Sequence, residues 1–242
     1  MFADARVVVV VPAFQEEARI ARVLRTLPAW VDHAVVVDDA SRDRTAEAAR
    51  AVGDPRTTVL VHPHNRGVGA AIVTGYRHAL GLTRAAYDVL AVMAGDGQMD
   101  PADLDAVVGP IARGEAGYVK GERFSAPDVR RVMPRARRWG GIVFSRLTSL
   151  AIGRPVHDSQ CGYTALARSA CEQLDLDALW PRYGYPNDML AQLAARGIAI
   201  AEVPVRPIYA GEESKLRVWH LPRIVQVVAR SAWTVRRHQG FP

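Results

Sequence analysis

Three short polar clusters stand where an apolar run stops: Pro12-Ala13-Phe14-Gln15-Glu16, Asp38-Asp39-Ala40-Ser41 and Asp96-Gly97-Gln98-Met99-Asp100. Carboxylates gathered at one place can hydrogen-bond a nucleobase or a ribose, or hold a divalent cation. A hard cation such as Mg²⁺ takes oxygen ligands and usually shares them with a substrate diphosphate. Asp and Ser after a strand also cap helices, so one cluster alone says little. Three at equivalent positions point to a site. Basic residues supply the complement. Lys120, Arg123, Arg130, Arg131, Arg135, Arg137 and Arg138 form one group. From Ser214 to Pro242 there is no acid, and Lys215, Arg217, Arg223, Arg230, Arg236 and Arg237 equal the whole net charge of +6. Such segments suit phosphates, nucleic acid or acidic lipid heads.

The elements that must position these clusters alternate in type. Residues 6–11, 34–37, 57–61 and 88–93 read as strands, the first almost purely Val and so buried on both faces. Residues 15–27, 45–52, 68–82 and 101–112 read as helices, the last with Pro in its first turn. Strand and helix in turn imply a mostly parallel sheet with helices on both faces. Ligands of such sheets bind at the carboxyl ends of the strands, where the clusters stand. The second half is less regular. Residues 135–152 and 187–196 read as helices, 161–167 and 198–205 as strands, and 216–237 as a basic amphipathic helix around Pro222.

Composition closes several alternatives. The 242 residues are 49% apolar and 23% charged, which excludes disordered and fibrous chains. Cys161 and Cys171 are too few for a disulfide scaffold and cannot make a zinc site alone. His33, His62, His64, His78, His157, His220 and His238 are scattered and form no metal set. No apolar run reaches the ~20 residues that cross a bilayer, and residues 1–6 do not open a secretory signal. A cytoplasmic protein, soluble or peripheral on the membrane, is expected. The basic clusters lack interleaved aromatics and any DNA-reading motif, so no nucleic-acid partner is expected. Gly67 and Gly69 before a helix invite a dinucleotide reading. It fails because position 72 is Ile72 and the turn follows the third strand instead of the first. The glycines are expected to let the backbone turn close to a nucleotide.

Seven stretches in order resemble glycosyltransferase family 2 with the GT-A fold, and within it the polyprenyl-phosphate (dolichyl-phosphate type) sugar synthases. They are Val8–Glu17, Val36–Thr45, Asn65–Ala70 with Gly75, Met93–Gln98, Gly121–Phe124, Asp158–Tyr163 and Gly211–Leu216. The resemblance implies one GT-A domain: a nucleotide-sugar half over 1–115, an acceptor half over 116–213 and a C-terminal helix over 214–242. It implies an inverting transfer from a nucleotide-diphosphate sugar, UDP- or GDP-linked, to a polyprenyl phosphate, with Mg²⁺ or Mn²⁺.

The residue roles come from the same resemblance. Pro12, Ala13, Phe14, Glu16, Asp38, Asp39, Asn65, Gly67 and Asp96 would serve the nucleotide, with Asp39 receiving an N–H from the base and Asp38 acting structurally. Asp96 and Gln98 match the metal positions of a D-x-D-x-Q pattern whose first Asp is here Ala94. Arg123 and Lys215 would hold phosphate, Arg138 would assist, and Asp158 and Gln160 would shape the acceptor pocket. Asp188 falls where the wider fold places a base. A hydroxyl acceptor would need that base; a lipid phosphate would not, and Asp188 would then only orient Arg or Lys. Ala94 keeps a third reading open, a nucleotide-sugar-binding module without catalysis. Trp219, Leu221, Ile224, Val225, Val228 and Trp233 can share one face of the tail, suited either to an anionic membrane surface or to the protein core.

Overall fold

The computed structural model describes residues 2–126 and 129–208, together with residues 226, 229–233, 235 and 237. Five successive valines belong where both faces of a strand are covered. They open β1 (Val7–Ala13), and every residue of that strand is buried. β2 (His33–Asp38) and β4 (Val89–Val92) flank β1 in parallel, and β3 (Thr57–Val61) lies outside β2. The second half adds β5 (Tyr118–Glu122), β6 (Thr164–Ala167) and β7 (Ile200–Pro204) to the same sheet. Its order is β3-β2-β1-β4-β6-β5-β7. β6 runs antiparallel to β4 and β5, whereas β7 is parallel to β5.

The helices follow the crossovers. α1 (Ile20–Arg25) and α2 (Thr45–Arg50) connect strands that step outward from β1, and they touch each other. α3 (Val68–Leu82) returns from β3 to β4 across β2 and β1. Right-handed connections therefore place α3 on the other face from α1 and α2. Its approach is close: a Cβ on Gly75 would stand 2.2 Å from Val10 Cγ1. α4 (Leu104–Ala112) packs on β4, β5, β6 and β7 after a short 3₁₀ turn at Pro101–Asp103, capped by Asp100 through Ala102 N at 2.9 Å. α5 (Val129–Val132), α6 (Arg135–Ile152), α7 (Arg168–Cys171) and α8 (Tyr185–Ala195) are the remaining helices of residues 2–208.

Several expectations change. The helix expected from residue 15 begins at Ile20, because residues 15–19 form a turn with Gln15 at φ +58°. β5 is not expected from the sequence at all. Its Lys120, Gly121 and Glu122 interrupt any apolar signal, yet all five of its residues are buried. Lys120, counted in the basic group suited to anionic partners, is therefore buried. The 3.6-residue pattern over 135–152 is realised as α6 with those bounds. Lys215, Trp219, Leu221, Ile224, Val225 and Val228 lie outside the described residues.

Candidate active site

The sheet order creates one reversal. The chain winds outward from β1 through β2 to β3, then returns to β4 on the other side of β1. Ligands of open α/β sheets bind at such a switch point, beyond the carboxyl ends of the strands. Two backbone bonds fix the clusters there. Asp39 N donates to Ala13 O at 2.9 Å, and Gly95 N donates to Pro12 O at 3.0 Å. Asp39 and Asp96 thus flank the end of β1 from its two sides.

On the β2 side the polar residues hold one another. Asp38 Oδ1 receives Ser41 N at 3.1 Å and the Ser41 hydroxyl, a structural role. Asp39 is 3% exposed. Its carboxylate accepts Arg66 N at 2.8 Å and Gly67 N at 2.7 Å, and bonds His62 Nδ1 at 2.7 Å. That fills most of the roughly four acceptor sites of a carboxylate. This carboxylate anchors the turn at residues 66–67. Asn65 Nδ2 reinforces that turn through Asp39 O at 3.2 Å. His62, whose Nε2 also meets Thr74 Oγ1 at 3.0 Å, is a supporting residue that the scattered histidine pattern did not reveal. Glu16 is buried, with its N–H on Thr45 Oγ1 at 2.8 Å and its carboxylate on Arg19 at 3.0 Å. Pro12 and Ala13 are buried and Phe14 is exposed beside them.

The glycines of this turn are packed against another segment. Gly67 sits at φ +99°, and a Cβ there would come within 2.5 Å of Pro181 O; at Gly69 it would come within 2.2 Å of Trp180 O. What crowds these glycines is residues 180–182 of the chain itself.

On the β4 side a cleft of about 400 Å³, counting space open to solvent, gathers four segments. Asp96, Gln98 and Met99 follow β4; Arg123 follows β5; Cys161, Gly162 and Tyr163 precede β6; Val205 to Ile208 follow β7. The antiparallel direction of β6 explains the convergence, since its start lies at the edge where β4 and β5 end. Asp96 Oδ1 receives Gln98 N at 3.0 Å, and Ile208 N closes on Gln98 O at 3.1 Å.

Arg123 is held by Asp158 in a two-pronged contact, Nε to Oδ2 at 2.7 Å and Nη2 to Oδ1 at 2.9 Å. The Asp158 side chain is fully buried, so it shapes the cleft through Arg123 and not by lining it. Burial alone would raise the Asp158 carboxyl, but the Arg123 charge and hydrogen bonds, with Lys120 behind them, hold it below the usual carboxylate range. Lys120 Nζ donates to Cys161 O from a fully buried position, and burial pushes its ammonium below the ordinary lysine value. The Cys161 thiol is pushed up by burial, which suits an inert wall. Gln160 stands off the cleft lining, with Nε2 on Ser159 Oγ and Asn187 Oδ1, each at 3.1 Å. Arg138 is half-buried, and its Nε has no partner among the described residues. Arg206, not singled out by the sequence, lines the cleft and is tied to Asp103 at 2.9 Å and Asp100 at 3.2 Å. Its place just past the end of β7 was the signal that could have found it.

Asp188 is placed elsewhere. It is 1% exposed, accepts Trp180 N at 2.9 Å and Arg230 Nε at 3.3 Å, and does not line the cleft. Burial raises its carboxyl pKa against the opposing pull of Arg230. Of the two roles open to Asp188, this placement matches the orienting one: the carboxylate takes Arg230 and holds residue 180 against the glycine turn, off the cleft that a base would have to reach.

Residues 8–175 match the model of "Glycosyl transferase family 2". The chain belongs to that family. It is 29% identical over 222 residues, covering 86% of this chain and 87% of the relative, to a UDP-N-acetylglucosamine–dolichyl-phosphate N-acetylglucosaminyltransferase of Methanococcus voltae. It is 33% identical over 209 residues, covering 83% and 82%, to an undecaprenyl-phosphate mannosyltransferase of Micrococcus luteus. Among solved structures it is similar to glucosyl-3-phosphoglycerate synthase of Mycobacterium tuberculosis with Mn²⁺, UDP and phosphoglyceric acid bound, at a TM-score of 0.66 and 21% identity, covering 99% of this chain and 80% of that one. The GT-A architecture is thereby shown, and the chain is a glycosyltransferase.

In this family 2 enzyme the metal question turns on the donor set. Among the described residues no three His, Cys, Asp or Glu side chains come together as a metal cage. Asp96 and Gln98 supply hard oxygen donors at the cleft, while Ala94, whose N–H meets Met99 Sδ at 3.3 Å, supplies none. One carboxylate and one amide fit an ion that arrives with a diphosphate, because Mg²⁺ is commonly held by one or two carboxylates plus substrate phosphates.

Proposed function

We propose that this glycosyltransferase moves a sugar from a UDP- or GDP-sugar onto a polyprenyl phosphate with inversion at the anomeric carbon. The observation that carries the reading is the composition of the cleft. Asp96 and Gln98 face it from β4 and Arg123 from β5, while Asp96 is the one carboxylate among its described lining residues. A hydroxyl acceptor needs a base, and the base expected for it, Asp188, is buried away from the cleft. A phosphate oxygen is already anionic and needs none. The dolichyl-phosphate and undecaprenyl-phosphate acceptors in the names of two relatives support the same acceptor class.

The reaction is one in-line displacement. An acceptor phosphate oxygen forms the new bond to the anomeric carbon as the bond to the nucleoside diphosphate breaks, and that diphosphate leaves with the electron pair. A divalent ion held by Asp96 and Gln98 neutralises charge on the diphosphate when bound. Residues 12–16 and the Asp39-anchored turn position the nucleoside half. Arg123, oriented by Asp158, holds the attacking phosphate, a geometry in which placement and charge neutralisation supply the rate. Gln160 supports the acceptor side from behind the cleft. Lys215 and Arg138 are assigned here to phosphate attraction by their charge alone. No helix among the described residues is long and apolar enough to cross a membrane. Because a polyprenyl phosphate lies in a membrane, this reading assigns the enzyme to the cytoplasmic face as a peripheral protein.

The test is transfer of radiolabelled sugar, with Mn²⁺ or Mg²⁺ present, to a polyprenyl phosphate in detergent. Label in the organic extract supports the reading. Label only in water-soluble or protein acceptors overturns the lipid part. A thermal-shift panel of nucleotide sugars identifies the donor, since a ligand at 100 times its Kd stabilises by about 2.7 kcal/mol.

A further inference from the structure

α6 is amphipathic in the reverse sense. A helix on a globular body normally turns its large apolar side chains inward. Here Trp139 is 66% exposed, Val143 53%, Leu147 41% and Leu150 81%. At about 100° per residue these four fall on one stripe roughly 80° wide. The opposite face, which meets the protein, is built of Gly141, Ser145, Thr148 and Ser149 with Ile152. Gly141 lies against the Phe124 ring, next to Arg123 of the cleft. The Ser145 hydroxyl receives Ser159 N at 2.9 Å, and Thr148 Oγ1 meets Asn187 Oδ1 at 3.3 Å. The inward face is therefore satisfied by small and hydroxyl residues, and the outward face suits an apolar medium.

Charge says which medium. From Val129 to His157 the sequence holds seven arginines (130, 131, 135, 137, 138, 146 and 154) and no acid. Arg135 and Arg146 are exposed beside the stripe. A second copy of the chain meeting this face about a two-fold axis would set arginine against arginine. An anionic lipid surface instead receives the apolar stripe and the tryptophan between its headgroups and the arginines at their phosphates.

We infer that the exposed stripe of α6, Trp139-Val143-Leu147-Leu150 with Arg135 and Arg146, is the surface by which this enzyme seats on an anionic bilayer. In part this rests on the lipid-phosphate reading, because such an acceptor lies in a membrane. α6 then holds Phe124, and with it the Arg123 side of the cleft, close to the lipid.

Vesicle flotation of the full chain tests it without any substrate. Wild type should float with phosphatidylcholine vesicles containing phosphatidylglycerol, and less so in high salt. The quadruple variant Trp139→Ala, Val143→Ser, Leu147→Ser, Leu150→Ser should partition at least ten-fold more weakly, while its turnover of detergent-dispersed polyprenyl phosphate and its melting temperature stay near wild type. Tryptophan quenching by brominated lipid, lost in Trp139→Phe, gives a second readout from a milder change. Three results overturn the inference: no flotation of wild type, equal flotation of the quadruple variant, or a solution dimer that the same substitutions dissociate. Transfer to detergent-dispersed acceptor alongside any of these leaves the acceptor reading standing. Flotation without such transfer leaves the surface standing and removes the acceptor reading.

Discussion

Asp158 and Arg123 form a bidentate pair in which the carboxylate is wholly buried and the guanidinium reaches the cleft. Removing one member of a buried pair leaves the other charged and unmatched, at about 3–5 kcal/mol. Asp158→Ala is therefore expected to lower the unfolding free energy by about 3 kcal/mol in urea titrations and to loosen acceptor binding. Because the folded carboxyl lies below its unfolded value, its contribution is present above the unfolded pKa and is lost as pH falls through the folded one. The acid limb of the stability profile should flatten in Asp158→Asn.

Lys120 titrates in the opposite sense. Burial depresses its folded pKa, so the unfolded chain binds more protons between the folded value and the ordinary lysine value. Stability should rise with pH across that window. Lys120→Met should abolish the rise, measured by denaturant unfolding at pH 7 and at the alkaline end, and should cost less stability than Asp158→Ala.

The cation dependence falls on two side chains. Asp96→Ala should reduce metal-dependent transfer on the order of 10²-fold or more, the scale of losing one charge-stabilising group at a reacting centre. Ala94→Asp, which returns a second carboxylate to the pattern, should lower the Mn²⁺ concentration for half-maximal activity.

Gly67→Ala combines a backbone at φ +99° with a Cβ 2.5 Å from Pro181 O. A cost of about 1–3 kcal/mol is expected from the strained conformation alone. The melting temperature should fall, and nucleotide-sugar affinity with it, as the Asp39-anchored turn shifts.

Asp188→Asn separates positioning from base catalysis. The carboxylate accepts from Trp180 N and Arg230 Nε. The variant should lose stability yet keep transfer within about ten-fold of wild type. A loss of 10³-fold or more would instead mark a general base.

Much of the fold was legible along the chain. The valines of β1, the alternation through residue 112 and the polar clusters after the strands state a parallel sheet and the edge where it binds, because burial on both faces and strand-end loops leave local traces. Ala94 likewise announced a thinner donor set. Tertiary structure alone decided the partners. β5 was invisible because Lys120 finds its partner in a distant segment, at Cys161 O, while Glu122 folds back onto the N–H groups of Phe124 and Ser125, so that both can be buried. Asp39, Asp158 and Asp188 looked alike as carboxylates in motifs, yet their positions assign one to a turn, one to an arginine and one to the loop before its own helix and to Arg230. A hydrogen bond to a residue tens of positions away leaves no periodicity in the sequence, and the direction of β6 and the outward turn of the α6 stripe are fixed only once the whole sheet has formed.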